Sequence, residues 1–335
     1  MIPLDPAIVI WLAFVVGLCV GSFLNVLGLR LLCDESILSP PSHCPSCQRP
    51  LTWLENIPVV SYVLQGGQCR GCKTSIHWQY PVVELVTALL FAVVAWQFGA
   101  SWATLWLWFL LANLVAVCIT DFRESLIFHI NVLPLIPVGF LGNAFDVAQL
   151  STTLNLAPWQ VLGFELPGIL ASSLLAVLVP VAIFEGCILL SRWIFKTDGF
   201  GHGDTLLMVG IGAYFGWQLA LLGIVLGFIV QAIPAIPLLA WQWIKHKHYD
   251  TLLSGTVALL GALVPVALMV WHIGSLDFQW WATIISAVVA LVAVVFFLRC
   301  VRARESYTYL PFGPALVVGS LVALFFGAPI LGQLF

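Results

Sequence analysis

Gly199-Phe200-Gly201-His202-Gly203-Asp204 runs directly into the apolar stretch 205–217, and the reading of that junction decides the fold. Three alternating glycines put flexible backbone at the mouth of an apolar helix, and a carboxylate sits in its first turn. An acid there is costly unless it has a partner or a task. A second acid, Asp121, is in the same position at the end of the apolar run 102–120. If both runs cross a membrane at the same level, the two carboxylates meet at one of its faces and activate a water there.

Composition makes those runs membrane helices. The chain is 61% hydrophobic and 8% charged, where soluble domains are about 45–50% apolar and about 25% charged. Several mostly apolar runs are long enough, at 1.5 Å per residue, to cross a hydrocarbon core of roughly 30 Å. The first, 7–32, is too long for a signal-peptide core and has no basic segment ahead of it, so it is expected to remain as a helix. The net charge of −3 says nothing about nucleic acid, but no basic tract exists, so no nucleic-acid partner is expected.

The expected fold is an all-α polytopic membrane protein with about ten transmembrane helices. They fall near 7–30, 81–98, 102–120, 126–145, 167–193, 204–217, 219–243, 252–273, 280–299 and 311–332. Prolines within spans, such as Pro134, Pro180 and Pro234, are tolerated because neighbouring helices and side chains satisfy the freed backbone groups. The domain organisation reads as a first transmembrane helix over 1–30, a polar loop domain over 31–80 and a multi-helix membrane domain over 81–335. No convincing internal repeat is found.

Basic residues set the orientation. With 31–80 inside and ten spans alternating, Arg30, Arg49, Arg70, Lys73, Arg123, Arg192, Lys196, Lys245, Lys247, Arg299, Arg302 and Arg304 all fall on the cytoplasmic side. The opposite loops hold only Asp5, Asp146, Glu165 and Asp277. That is the positive-inside pattern. The same arrangement places Asp121 and Asp204 at cytoplasmic helix ends.

Four of the nine cysteines form two pairs, Cys44-Pro45-Ser46-Cys47 and Cys69-Arg70-Gly71-Cys72, with 21 residues between them. The spacing is near that of tetrahedral zinc ribbons. Two disulfides are the alternative, which a cytoplasmic location disfavours. Four thiolates close the coordination sphere, so the zinc is structural, and His43 and His77 are expected to stay outside it. The other five cysteines, Cys19, Cys33, Cys118, Cys187 and Cys300, read as small buried hydrophobes.

For Asp121 and Asp204, the chemistry that uses two adjacent carboxylates is aspartic hydrolysis. Like charges at that distance do not both ionise, so one carboxylate takes a proton from water while the other, protonated, hydrogen-bonds the scissile carbonyl. The glycines beside Asp204 would let an extended substrate backbone approach. The alternatives are a helix N-cap for Asp204 and a surface acid beside Arg123 for Asp121. Glu84 and Glu185 also lie within spans; Glu185 reads as a neutral acid bonded to a neighbouring helix. His129 and His202 read as satisfied polar contacts.

The order of motifs resembles the type IV prepilin peptidase family. It is carried by Gly21-Ser22-Phe23-Leu24-Asn25-Val26, Pro41-Ser42-His43-Cys44-Pro45-Ser46-Cys47 and Glu55-Asn56-Ile57-Pro58-Val59-Val60-Ser61-Tyr62. Cys69-Arg70-Gly71-Cys72, Tyr80-Pro81-Val82-Val83-Glu84-Leu85, Asp121, Gly201-His202-Gly203-Asp204 and Pro311-Phe312-Gly313-Pro314-Ala315 complete it. The resemblance implies a GxGD aspartic endopeptidase of the bacterial inner membrane, facing the cytoplasm. Its substrates would be prepilins and pseudopilins of a pilus or type II secretion machinery. Many relatives then N-methylate the new N-terminus with S-adenosylmethionine, an activity linked to the N-terminal region and cysteine loop. By motif, Asp121 and Asp204 carry over as the catalytic pair and Cys44, Cys47, Cys69 and Cys72 as zinc ligands.

Three departures stand out. Ile127-Phe128-His129 replaces the usual Ile-Pro-Asp, Leu206 stands where a lysine is usual, and a helix pair near 250–300 exceeds the usual eight spans. The missing lysine and Pro-Asp keep open a second reading, a non-catalytic assembly or docking subunit. A third, an ion-coupled transporter using the acids as a proton path, is disfavoured because the acids sit at the membrane edge and not in a midplane row.

Overall fold

The computed structural model describes residues 5–33, 35–36, 39, 41–149, 159–161, 164–196, 201–245 and 311–334. Helices dominate: α1 (Pro6–Leu32), α2 (Val60–Leu64), α3 (Gln79–Phe98), α4 (Trp102–Glu124), α5 (His129–Val132) and α6 (Leu135–Ala144). After them come α7 (Gly168–Phe195), α8 (His202–Lys245) and α9 (Gly313–Leu334). One short antiparallel ribbon, β1 (Trp159–Val161) with β2 (Phe164–Leu166), departs from the all-α expectation. Five helices, α1, α3, α4, α7 and α8, are long and apolar enough to cross a membrane, and His129–Ala144 and Gly313–Phe326 are shorter apolar segments. The helix pair expected near 250–300 lies outside the described residues.

By contacts the chain divides into two units. The first comprises 1–186, 200–230 and 311–335, and contains the cysteine loop and both aspartates. The second comprises 187–199 and 231–310, where Lys245 lies over the Trp241 ring at 5.1 Å.

Within the first unit α4 is the axis. Two thirds of its apolar window is buried (67%), against 22% in α1, so α4 is enclosed by other helices whereas α1 presents most of its surface outward. Leu107, Leu110, Leu111 and Leu114 of α4 join Phe91, Leu135, Met208, Tyr214 and Leu316 in one core. Helix α1 lies against α3 backbone to backbone: a Cβ on Gly21 would stand 2.7 Å from the Glu84 Cα. Close approach through small residues is how helices gain van der Waals contact in lipid.

The span expected at 126–145 is split. Pro134 has no N–H to donate, and α5 ends and α6 begins on either side of Leu133-Pro134.

Helix α8 conceals a reversal. Gly216 has φ 78° and ψ 172°, a region open in practice only to glycine. Ser320 donates to Met208 Sδ at 3.9 Å, while a Cβ on Gly223 would stand 2.8 Å from the same Ser320 hydroxyl. Met208 and Gly223 would be about 22 Å apart along an unbroken helix, so the chain folds back at Gly216. The break frees backbone groups that side chains recover. Asn143 Nδ2 donates to the carbonyls of Ala213 (2.8 Å) and Tyr214 (2.9 Å), and the Trp217 N–H donates to Ser172 Oγ at 3.2 Å.

Candidate active site and metal centre

The two Cys-x-x-Cys segments are built alike, offset by 25 positions. The Cys44 N–H donates to the Arg49 carbonyl (3.0 Å) as Cys69 does to Thr74 (2.9 Å), and Gln48 donates to Cys44 (2.8 Å) as Lys73 does to Cys69 (3.0 Å). Gln48 (φ 59°) and Lys73 (φ 62°) occupy the left-handed region at the same place in each turn, and the bridges His43–Pro50 and Gln68–Ser75 close them. The loop thus holds a local duplication that its sequence does not display.

These turns aim all four sulfurs at one point, with ligand atoms within 4.8 Å of one another. A tetrahedral zinc with bonds of about 2.3 Å sets its sulfurs about 3.8 Å apart, and Cys44 Sγ lies 3.8 Å from Cys72 Sγ. The donor set fits a metal such as zinc. Main-chain N–H groups of Cys72 and Gly71 draw the Cys69 thiol down to about 6, and Thr74 lowers Cys72. Cys47 stands at about 11: the Arg49 amide lowers it, but burial and the three neighbouring thiols outweigh that.

His43 and His77 stay outside the cluster. The His43 ring contacts the Pro41 carbonyl at 3.1 Å, and His77 accepts from the Gln79 N–H at 3.1 Å at the start of α3. Behind the sulfurs, Arg49 donates to Glu55 at 2.6 Å, and Glu55 also accepts from the Thr52 N–H and hydroxyl. Arg49 first, then Thr52, holds the Glu55 carboxyl down at about 2.

Asp121 lies in the last turn of α4, which Ser125 terminates in a left-handed conformation. The carboxylate is 4% exposed, so it is no surface acid, and Arg123 turns away to donate to Gln79 Oε1 at 3.0 Å. Its Oδ2 accepts from the Gly313 N–H at 2.9 Å. Gly313 is the first residue of α9, where free N–H groups and aligned peptide dipoles attract negative charge.

Asp204, 6% exposed, lies in the first turn of α8. It is not the N-cap. Its Oδ2 reaches back to the Gly201 N–H at 3.3 Å, and its own N–H donates to the Gly201 carbonyl at 3.0 Å, the acid half of a capping box. Gly199 and Phe200 lie outside the described residues.

The carboxylates of Asp121 and Asp204 lie within electrostatic reach of each other, and Ile127 packs against both the Gly203 turn beside Asp204 and Gly313, whose amide holds Asp121. A Cβ on Gly203 would stand 2.8 Å from Ile127 Cβ, and one on Gly313 would stand 3.4 Å from Ile127 Cδ1 and 2.8 Å from Asp121 Oδ2. Gly203 is therefore small to admit Ile127, a different reason from the substrate approach expected of it. Gly201 alone has room, its nearest neighbour at 3.8 Å. Among the described residues, Asp121 and Asp204 have no hydrogen-bond donor on Oδ1, which leaves one oxygen of each for a water or substrate.

The other polar residues have local tasks. Glu185 Oε1 contacts His202 Nδ1 (2.9 Å) and accepts from Thr205 Oγ1 (3.2 Å), pinning the turn that bears Asp204. Glu84 accepts from the Val59 N–H at 2.7 Å. His129 is exposed. Leu206 packs against the apolar core, so no cation stands there. Phe128 has φ −76°, within the range that a proline would impose.

Comparison with known proteins gives the family. Residues 15–98 match the bacterial peptidase A24 N-terminal domain, and residues 108–236 match the type IV leader peptidase family. The prepilin leader peptidase/N-methyltransferase of Pseudomonas aeruginosa is 33% identical over 251 residues, 67% of this chain and 78% of the relative. The chain belongs to the type IV leader peptidase family. Two further members of the same description, from Myxococcus xanthus and Neisseria gonorrhoeae, are 34% identical over 64% of this chain and 32% over 71%. They are themselves covered to 58% and 84%. No solved structure matches significantly. All four cysteines fall within the part matched to the bacterial peptidase A24 N-terminal domain, and both aspartates within the part matched to the type IV leader peptidase family.

Proposed function

We propose that the chain is a membrane aspartic endopeptidase that removes the short basic leader from type IV prepilins and pseudopilins, with Asp121 and Asp204 as the catalytic pair. The observation that carries this reading is the pair itself. Two buried carboxylates, from helices far apart in sequence, lie within electrostatic reach of each other, each tied through Oδ2 to a glycine amide at a helix start.

One carboxylate takes a proton from a water between them as that water attacks the scissile carbonyl; the other, protonated, donates to the carbonyl oxygen as it gains charge. Collapse of the tetrahedral intermediate passes a proton to the leaving amine and breaks the peptide bond. The amide donors on the two Oδ2 atoms hold the free oxygens in place, which keeps reorganisation small.

Cys44, Cys47, Cys69 and Cys72 hold a structural zinc that folds the loop. Methylation of the new N-terminus is proposed as a second activity, with S-adenosylmethionine supplying the methyl group; its support is the relatives' description. About ten spans, a first transmembrane helix over 1–30, a zinc loop over 31–80 and a protease domain over 81–335 are the proposed organisation. The site faces the cytoplasm of the inner membrane, where the pilus or type II secretion machinery receives the product; the distribution of basic residues supports that orientation.

Leu206, in place of a lysine, favours one second reading, a docking subunit without catalysis. Incubation of the detergent-purified protein with a prepilin, read by intact mass, separates the two and reports an added methyl group in the same spectrum. Leader loss with wild type and none with Asp121→Asn or Asp204→Asn is expected; full cleavage by either variant rejects the paired-acid mechanism.

A further inference from the structure

The motif Glu55–Tyr62 takes no part in the chemistry above, yet it leads into an apolar surface. Helix α2 places Val60, Val63 and Leu64 on one face at helical spacing. All three are exposed, Val63 at 69% and Leu64 at 76%, and so are Trp53 and Leu54 ahead of α2 and Trp78 immediately before α3. No charged residue occurs from Asn56 to Cys69. A polar loop in water has no reason to display such a face.

The position of α2 says what covers it. Val59 has φ 59°, an outlier for a β-branched residue, and its N–H is held by Glu84 Oε2 at 2.7 Å. Glu84 is the sixth residue of α3. Helical side chains lean back toward the N-terminus, so α2 starts about 5–7 Å along α3 from its first residue. Beyond that level α3 presents exposed Leu85, Val86 and Leu89 as part of a membrane-crossing helix.

The short segment also has its own backbone bonds. The N–H groups of Ser61, Val63, Gln65, Gly66 and Gly67 donate to carbonyls within 57–63. A segment so satisfied enters a lipid interface at little cost.

We propose that α2 with Trp53, Leu54 and Trp78 is an interfacial anchor, seated at the boundary between headgroups and acyl chains of the leaflet where α3 begins. The depth matches the roughly 5–10 Å at which interfacial helices bury their apolar face, and tryptophans mark that layer. The anchor presses the zinc loop onto the bilayer surface and does not depend on the protease reading.

The test places the photo-crosslinker p-benzoylphenylalanine at Val63 or Leu64 of the full chain in vesicles of phosphatidylethanolamine and phosphatidylglycerol. Trp11 of α1 serves as the lipid-facing reference and Gln48 as the exposed polar one. Intact metal content shows that each variant is folded. Phospholipid adducts at 63 and 64 within about threefold of position 11, and about tenfold above position 48, are expected of an interfacial face. Yields equal to position 48 overturn the proposal. So does crosslinking only to added prepilin, which would make the face a substrate dock.

Discussion

The Gly313 N–H donates to Asp121 Oδ2 at 2.9 Å across 192 residues of sequence, and a Cβ at Gly313 would stand 2.8 Å from that oxygen. The start of one helix thus grips the acid at the end of another. Neither the bond nor the acid's orientation survives an added methyl group.

Gly313→Ala is therefore expected to lower prepilin cleavage by about 10–100-fold, the loss of one hydrogen bond to a charged group, chiefly in kcat. Gly201→Ala, where the nearest atom is 3.8 Å away, is expected to stay within about threefold of wild type, since a helix cap position tolerates alanine at about 1 kcal/mol. Steady-state cleavage with melting curves checks both. Equal losses at the two glycines would make general flexibility, and not the grip on Asp121, the relevant property.

Purified protein is expected to carry about one zinc per chain, because four thiolates complete its coordination. Cys69→Ser is expected to lower the metal content, and chelation to expose 41–78 to protease while the membrane helices stay folded. Elemental analysis and limited proteolysis measure this. Disulfide-bonded pairs with no metal would reverse the assignment.

Glu55 lends the loop a pH dependence. Its carboxyl is held at about 2, first by Arg49, below the unfolded value near 4.3. A group depressed on folding stabilises the fold above its unfolded pKa, and that contribution is lost as pH falls toward the folded one. Glu55→Gln is expected to lower the loop's melting temperature at pH 7, with the difference from wild type closing between about pH 4.5 and 2. A difference that did not change with pH would rule out the charge as its source.

Gly216→Ala is expected to impair folding outright, because alanine tolerates φ 78° with ψ 172° poorly and its methyl would enter the Ser172 side chain. Asn143→Ala should cost less, about 2–4 kcal/mol for carbonyls left buried without donors. Melting in detergent ranks the two, and a Gly216→Ala protein as stable as wild type would contradict the reversal.

Hydropathy and charge make the helical membrane class legible, and motif spacing points to the four cysteines and to Asp121 and Asp204. The rest depends on contacts that no local pattern encodes. Gly313 is visible as part of a motif, but its bond to Asp121 arises only when α9 packs against α4. In the sequence Ile127 stands out only as the neighbour of Phe128-His129, whereas its role is to fill the space a Cβ on Gly203 would occupy. The boundary near 217–219 reflects the length of apolar sequence; its cause, a positive φ at Gly216 with Asn143 and Ser172 serving the broken ends, needs coordinates. The likeness of the two cysteine turns lies in hydrogen bonds and dihedral angles, which differing side chains conceal.

Translation order gives the grip on Asp121 one more meaning. A ribosome finishes the acid 192 residues before it makes the amide that holds it. A nascent or truncated chain therefore carries both acids with one of them unfastened. Under the proposed catalytic pairing, full cleaving power waits until α9 packs against α4, so completion of the fold is the arming step.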